Sequence, residues 1–175
     1  MSIKKYTKKE SRDFGKYLIE KCEGDTPYFN NIFDFIPTEK LRKFLLKSYR
    51  EAHFVSNLVN TLEIKYTMAH PLNEIQILHY AYICEALIDF TVETYLNINP
   101  KTPLLTKTVS LTTNCIIDSN LKNDIDKLWQ IRNGIHINRA VSDELKFFKK
   151  MTQGHDDLVV RLCSSLRNSA NNNVN

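Results

Sequence analysis

Along most of this chain apolar residues recur three and four apart, the spacing that lines them up on one face of a helix. Between residues 38 and 70, Leu41, Leu45, Tyr49, Ala52, Val55, Val59, Leu62 and Tyr66 keep that period, which predicts one long amphipathic helix with Thr38 at its N-cap. Pro71 suits the first turn of a second helix over residues 71–96. This second helix is apolar on more than one face, so it belongs at the centre of the fold. Residues 97–120 are rich in Asn, Thr, Pro and Ser and read as a loop with at most a turn of helix, after which Asp118 or Ser119 caps the next element. From 121 to 139, Leu121, Ile125, Leu128, Trp129, Ile131 and Ile135 again form a helical stripe.

Ser142 is the expected N-cap of a short helix over 143–151, and a last helix covers 156–167. Gly154 between them either kinks one helix or separates two, and His155 reads as an exposed turn residue. Residues 24–37 carry turn formers around Tyr28, Phe29, Phe33 and Phe35, as expected of a connector packed on the core. The basic stretch at 2–12 reads as a solvated end and the Asn-rich 168–175 as a disordered tail. These elements predict an all-α protein, an up-and-down bundle of four to five main helices forming one domain over residues 1–167.

Composition agrees with that pattern. Four Gly and five Pro in 175 residues leave little material for turns, and the length suits one core rather than two. A net charge of +4 is compatible with a nucleic-acid partner, although solubility alone accounts for it. Cys22, Cys84, Cys115 and Cys163 are scattered without a CxxC pair, so no metal site and no cofactor is expected, and Cys84 and Cys163 read as small core hydrophobes. No apolar run approaches the roughly 18 to 20 residues of a membrane span, and the N-terminus lacks the apolar core of a signal peptide. The expectation is a cytoplasmic protein without a membrane partner. No G-x-S-x-G elbow and no Gly-rich phosphate loop is present in the sequence.

The candidate chemistry lies in the stretch 121–139. If its helix continues through Gly134, Arg132 and His136 stand one turn apart on one side, with Asn133 beside Arg132. A permanently charged guanidinium, an amide and an imidazole that titrates near neutrality are the parts needed to hold a phosphate and move protons. On spacing alone the same residues also fit a solvated helix face. Gly134 inside a helix costs about 1 kcal/mol relative to Ala, so it either admits another backbone or ends the helix. In the apolar second helix, Glu85 and Asp89 are carboxylates one turn apart that need a partner unless they lie at the solvent edge. The Arg132 cluster is the nearest candidate in the sequence. His53, near the apolar stripe of the first helix, reads as a packed histidine.

The stretch IRNGIHI, together with the helix YICEALIDFTVETYL before it, resembles the HEPN superfamily of helical domains. Its hallmark is an Arg, a polar residue that is commonly Asn, and then a His. Three residues separate Arg132 from His136, fewer than is usual in that family. The resemblance covers roughly residues 38–167 and implies a metal-independent RNA endonuclease, with the site formed where two protomers of a homodimer meet. It further implies Arg132, Asn133 and His136 as catalytic residues and Glu85 or Asp89 as supporting ones. RNA would be the substrate, its own 2′-hydroxyl the nucleophile. An antitoxin or regulatory protein is a possible partner, since the family is found in toxin–antitoxin pairs and antiphage defence. The second implied reading is a non-catalytic module that binds a nucleotide, an RNA or a protein through the same groove.

Overall fold

The computed structural model describes residues 9, 12–13, 16–17, 31–61, 69–137 and 154–172, with side chains described over 31–60, 71–135 and 154–170 of the longer segments. All regular structure among them is helical: α1 (Glu39–Thr61), α2 (Ala69–Leu96), α3 (Leu104–Thr113), α4 (Ser119–Ile137) and α5 (His155–Asn172). The all-α bundle expected from the periodicity is therefore observed. The expected helix at 143–151 with its cap Ser142, the basic 2–8, Tyr28 and Phe29 lie outside the described residues.

α2 is the element that packs against all four others, most extensively against α1. The cause is its composition: Ile77, Tyr80, Ile83, Cys84, Leu87, Ile88 and Val92 are all no more than 2 % exposed, and they point in several directions around the helix. Burying each large apolar side chain stabilises the fold by about 1.5–3 kcal/mol relative to leaving it in water. Against the expectation that no segment is long enough to span a membrane, Pro71–Leu96 does reach that length and mean hydropathy once its few polar positions are counted in. More than half of its most apolar window is covered by the bundle. α1 and α5 are amphipathic and supply Leu45, Tyr49, Leu158, Val159 and Leu162 to the same core. Phe33 and Ile36 are buried ahead of α1, as the aromatic connector suggested.

Three local features differ from the sequence expectations. First, α3 is a ten-residue helix where a loop was expected. Thr and Val have modest helix propensity, but tertiary contacts override it: Lys107 and Thr108 are buried, and Thr108 Oγ1 donates to Asp126 of α4 at 2.9 Å. α3 ends in a Schellman motif. Ile116 N–H bonds the Leu111 carbonyl at 2.9 Å and Cys115 N–H bonds Thr112 at 3.0 Å, with Cys115 in left-handed backbone at φ 56°. Second, His155 is a buried residue, 9 % exposed, that opens α5 after Gly154 turns the chain at φ +104°. Third, α5 runs on to Asn172, so residues 168–172 are helical rather than a disordered tail, because extending a formed helix costs far less than starting one. Asp118 is the cap of α4: its carboxylate accepts the Leu121 N–H at 2.7 Å.

Candidate functional site

α4 continues unbroken through Gly134 to Ile137, which places the backbone of Arg132 and His136 one turn apart. The His136 side chain lies outside the described residues. A Cβ added at Gly134 would meet nothing within 4 Å, so this glycine neither ends the helix nor admits another segment of the described chain.

Arg132 is held by its neighbours and by α2. Its Cζ stands 4.5 Å from the ring centroid of Trp129, one turn earlier on α4, and 5.8 Å from that of Tyr82 on α2. Nη1 donates to Asn133 Oδ1 at 3.1 Å. Nε is buried without a hydrogen-bond partner, and Arg132 forms no ion pair with a carboxylate among the described residues. Aromatic faces and an amide oxygen fix the guanidinium without neutralising it. Asn133, which the resemblance implied as a catalytic residue, turns its side-chain oxygen to Arg132.

The two carboxylates of α2 divide. Asp89 pairs with Lys107 of α3 at 2.5 Å, and Lys107, only 3 % exposed, also donates to the Pro100 carbonyl. This corrects the expectation that Arg132 would be its partner. Glu85 is half-buried and sits in the field of Arg132. Burial pushes its carboxyl above the ordinary carboxylate range, Arg132 pulls it down, Asp89 pushes it up and Lys107 pulls it down, with burial prevailing. Sequence reasoning missed Lys107 and gave no role to Tyr82. The signal for Tyr82 was its position three residues before Glu85, on the same side of α2.

A second polar cluster lies on the other side of α2, since Tyr80 and Tyr82 are about 200° apart around a helix of 3.6 residues per turn. The Tyr49 hydroxyl of α1 donates to Asp156 of α5, and His53 Nε2 lies 3.6 Å from the same carboxylate. Burial pushes the Asp156 carboxyl up, but hydrogen bonds from His53 and Tyr49 and the charge of His53 outweigh it, leaving the group below the ordinary range. His53 packs against the Tyr49 ring at 5.8 Å, consistent with a packed histidine. The His155 ring lies 5.9 Å from Tyr80, its Nε2 is buried without a partner, and burial lowers its pKa to about 4. Cys84 and Cys163 are buried, as expected, and burial pushes both thiols up, Cys84 to about 12.

The chain matches no protein-family model, no curated protein and no solved structure. What the site can do is therefore argued from its own side chains. Arg132 is a fixed cation on an aromatic floor, with the backbone of His136 one helical turn along and the half-buried Glu85 carboxyl within its field.

Proposed function

We propose that this chain is a metal-independent endoribonuclease of HEPN type, acting as a cytoplasmic homodimer in a toxin–antitoxin or antiphage setting under the control of a partner protein. The observation that carries the reading is the Arg132 guanidinium, immobilised by Trp129 and Asn133 and left unpaired with any carboxylate among the described residues. A preorganised, uncompensated cation stabilises a phosphate whose charge grows in the transition state.

In this mechanism His136 removes the proton from a ribose 2′-hydroxyl, the oxygen attacks the adjacent phosphorus, and the 5′-oxygen leaves with a proton returned by a histidine. The products carry a 2′,3′-cyclic phosphate and a 5′-hydroxyl. Arg132 binds the non-bridging oxygens, Asn133 holds the guanidinium in register, and Glu85 supports it across the α2–α4 surface while Asp89 is engaged by Lys107. Two-fold pairing brings a second Arg–His set to the same phosphate.

The test is incubation of purified protein with single-stranded RNA in EDTA. Cleavage to cyclic-phosphate ends is expected, with a 2′-deoxy strand left intact and both Arg132→Ala and His136→Ala losing about a hundredfold or more of the rate while melting as the parent does. Intact RNA, or cleavage indifferent to both substitutions, overturns the proposal. The short spacing from Arg132 to His136 favours a second reading, a non-catalytic RNA-binding module, which salt-dependent binding without cleavage would establish.

A further inference from the structure

Tyr82 keeps 40 % of its surface open to solvent, while Tyr80 two residues earlier is 1 % exposed. Ile75 of the same helix is as open, at 43 %, and one exposed apolar side chain needs no explanation by itself. What distinguishes Tyr82 is the cation beside it: the Arg132 guanidinium lies over its ring at 5.8 Å and over the Trp129 ring at 4.5 Å. Two flat aromatic surfaces flank one cation, and Arg132 Nε is a buried donor with no acceptor among the described residues.

We propose that Tyr82 is the stacking platform for an unpaired RNA base adjacent to the phosphate that Arg132 holds. The inference rests on the function proposed above and names its substrate class: single-stranded RNA, whose splayed bases offer π-faces that a duplex keeps inside its stack. The chemistry recognised is a nucleobase joined to a phosphate. The phosphate satisfies the guanidinium from its open side, and the base covers the exposed Tyr82 ring, which would otherwise stay in water. Trp129 acts as the floor that keeps the guanidinium flat and parallel to the incoming base. Glu85, on the turn after Tyr82, closes the other side of the cleft.

The protein carries its own probe, since Trp129 is the one tryptophan in the sequence. Titrating an oligoadenylate whose 2′-hydroxyls are methylated, and which therefore cannot be cut by the mechanism above, should quench Trp129 emission. The same backbone without bases should bind on the order of tenfold more weakly. Tyr82→Phe should retain the preference for bases, Tyr82→Leu should lose it, and Arg132→Ala should weaken binding of both strands. Tyr82→Leu binding as the parent does, or an abasic strand binding as tightly as the base-bearing one, overturns the proposal. If 5′-AMP binds as tightly as the strand, the ligand is a free nucleotide and the single-strand assignment falls. The two proposals fail separately: Tyr82-dependent binding without cleavage of unmethylated RNA keeps the platform and removes the nuclease. Cleavage that needs Arg132 but ignores Tyr82 does the reverse.

Discussion

Lowering the pH should loosen this fold through His155 before the Asp124 and Asp156 carboxylates are protonated. The imidazole is 9 % exposed, lies against Tyr80, and has an Nε2 with no partner among the described residues, so no acceptor among them compensates a positive charge at that nitrogen. Its place at the start of α5 adds the positive end of the helix dipole, which also disfavours the charged form. Burial lowers its pKa from 6.5 to about 4. Between those values the unfolded chain holds the proton and the folded chain does not, so stability is complete above pH 6.5 and is lost as the pH falls to about 4. At about 1.4 kcal/mol for each pH unit, that window amounts to roughly 3 kcal/mol, a large part of the stability of an ordinary domain. Urea unfolding of the parent and of His155→Phe, measured at steps from pH 7.5 to 4.5, checks it. Phe fills the pocket without an orphaned nitrogen, so the variant should be as stable as the parent or better at pH 7.5, and its curve should stay nearly flat where the parent's falls. Asp124 and Asp156, both held below the ordinary carboxylate range, release their contributions only at lower pH and affect both proteins equally. Parallel curves for the two proteins would refute the reasoning.

Cys115→Gly should raise stability by about 1 kcal/mol, or about 2–4 °C in a thermal melt, because a left-handed C′ residue is strained for anything but glycine. Lys107→Met should cost about 3 kcal/mol in denaturant unfolding, since it leaves the Asp89 carboxylate and the Pro100 carbonyl without their donor; the part-exposure of Asp89 keeps the loss at the low end for a broken buried pair. Lys107→Met with Asp89→Leu should recover most of that loss. Gly134→Ala should add about 0.5–1 kcal/mol in the same assay, as the added methyl enters open space in a regular helix. If that variant gains this stability yet loses RNA cleavage, the open space at Gly134 is used by a substrate or a second protomer.

The centre of the fold could be read from the sequence because a helix apolar on all sides has few places to go. α2 showed its position through Ile77, Ile83, Leu87 and Val92 pointing in different directions. α3 could not be read, since its Thr-rich sequence has no strong helical preference and becomes helical through contacts made eighteen residues away, Lys107 with Asp89 and Thr108 with Asp126. His155 failed for a related reason. A glycine beside a polar residue looks like a turn, and only the left-handed backbone of Gly154 shows that the turn delivers His155 into the core. At the site, the local parts were legible and the distant ones were not. Arg132 and Asn133 are neighbours in the chain and could be read together, whereas Trp129, counted with the apolar stripe, proved to lie under Arg132, and the partner of Asp89 is chosen by the loop that carries Lys107 back over α2.

That choice of partner also explains why Arg132 is available. A guanidinium on α4 facing two carboxylates on α2 would ordinarily be consumed by an ion pair, and a paired arginine is a poor anchor for an incoming phosphate. Here Asp89 is bound to Lys107 through a contact that is almost wholly buried on the lysine side, and burial favours the uncharged form of Glu85. One carboxylate of that helix face is thus taken up by Lys107, and the other, Glu85, makes no ion pair with Arg132 among the described residues. The cation opposite it keeps its charge, its aromatic support and its unsatisfied Nε. It follows that Lys107 should matter to RNA binding as well as to stability: Lys107→Met frees Asp89 to compete for Arg132, whereas Lys107→Met with Asp89→Leu removes the competitor. Affinity for the methylated oligoadenylate should therefore fall in the single variant and return in the double one, and equal affinity in both would mean that Asp89 does not reach Arg132 even when released.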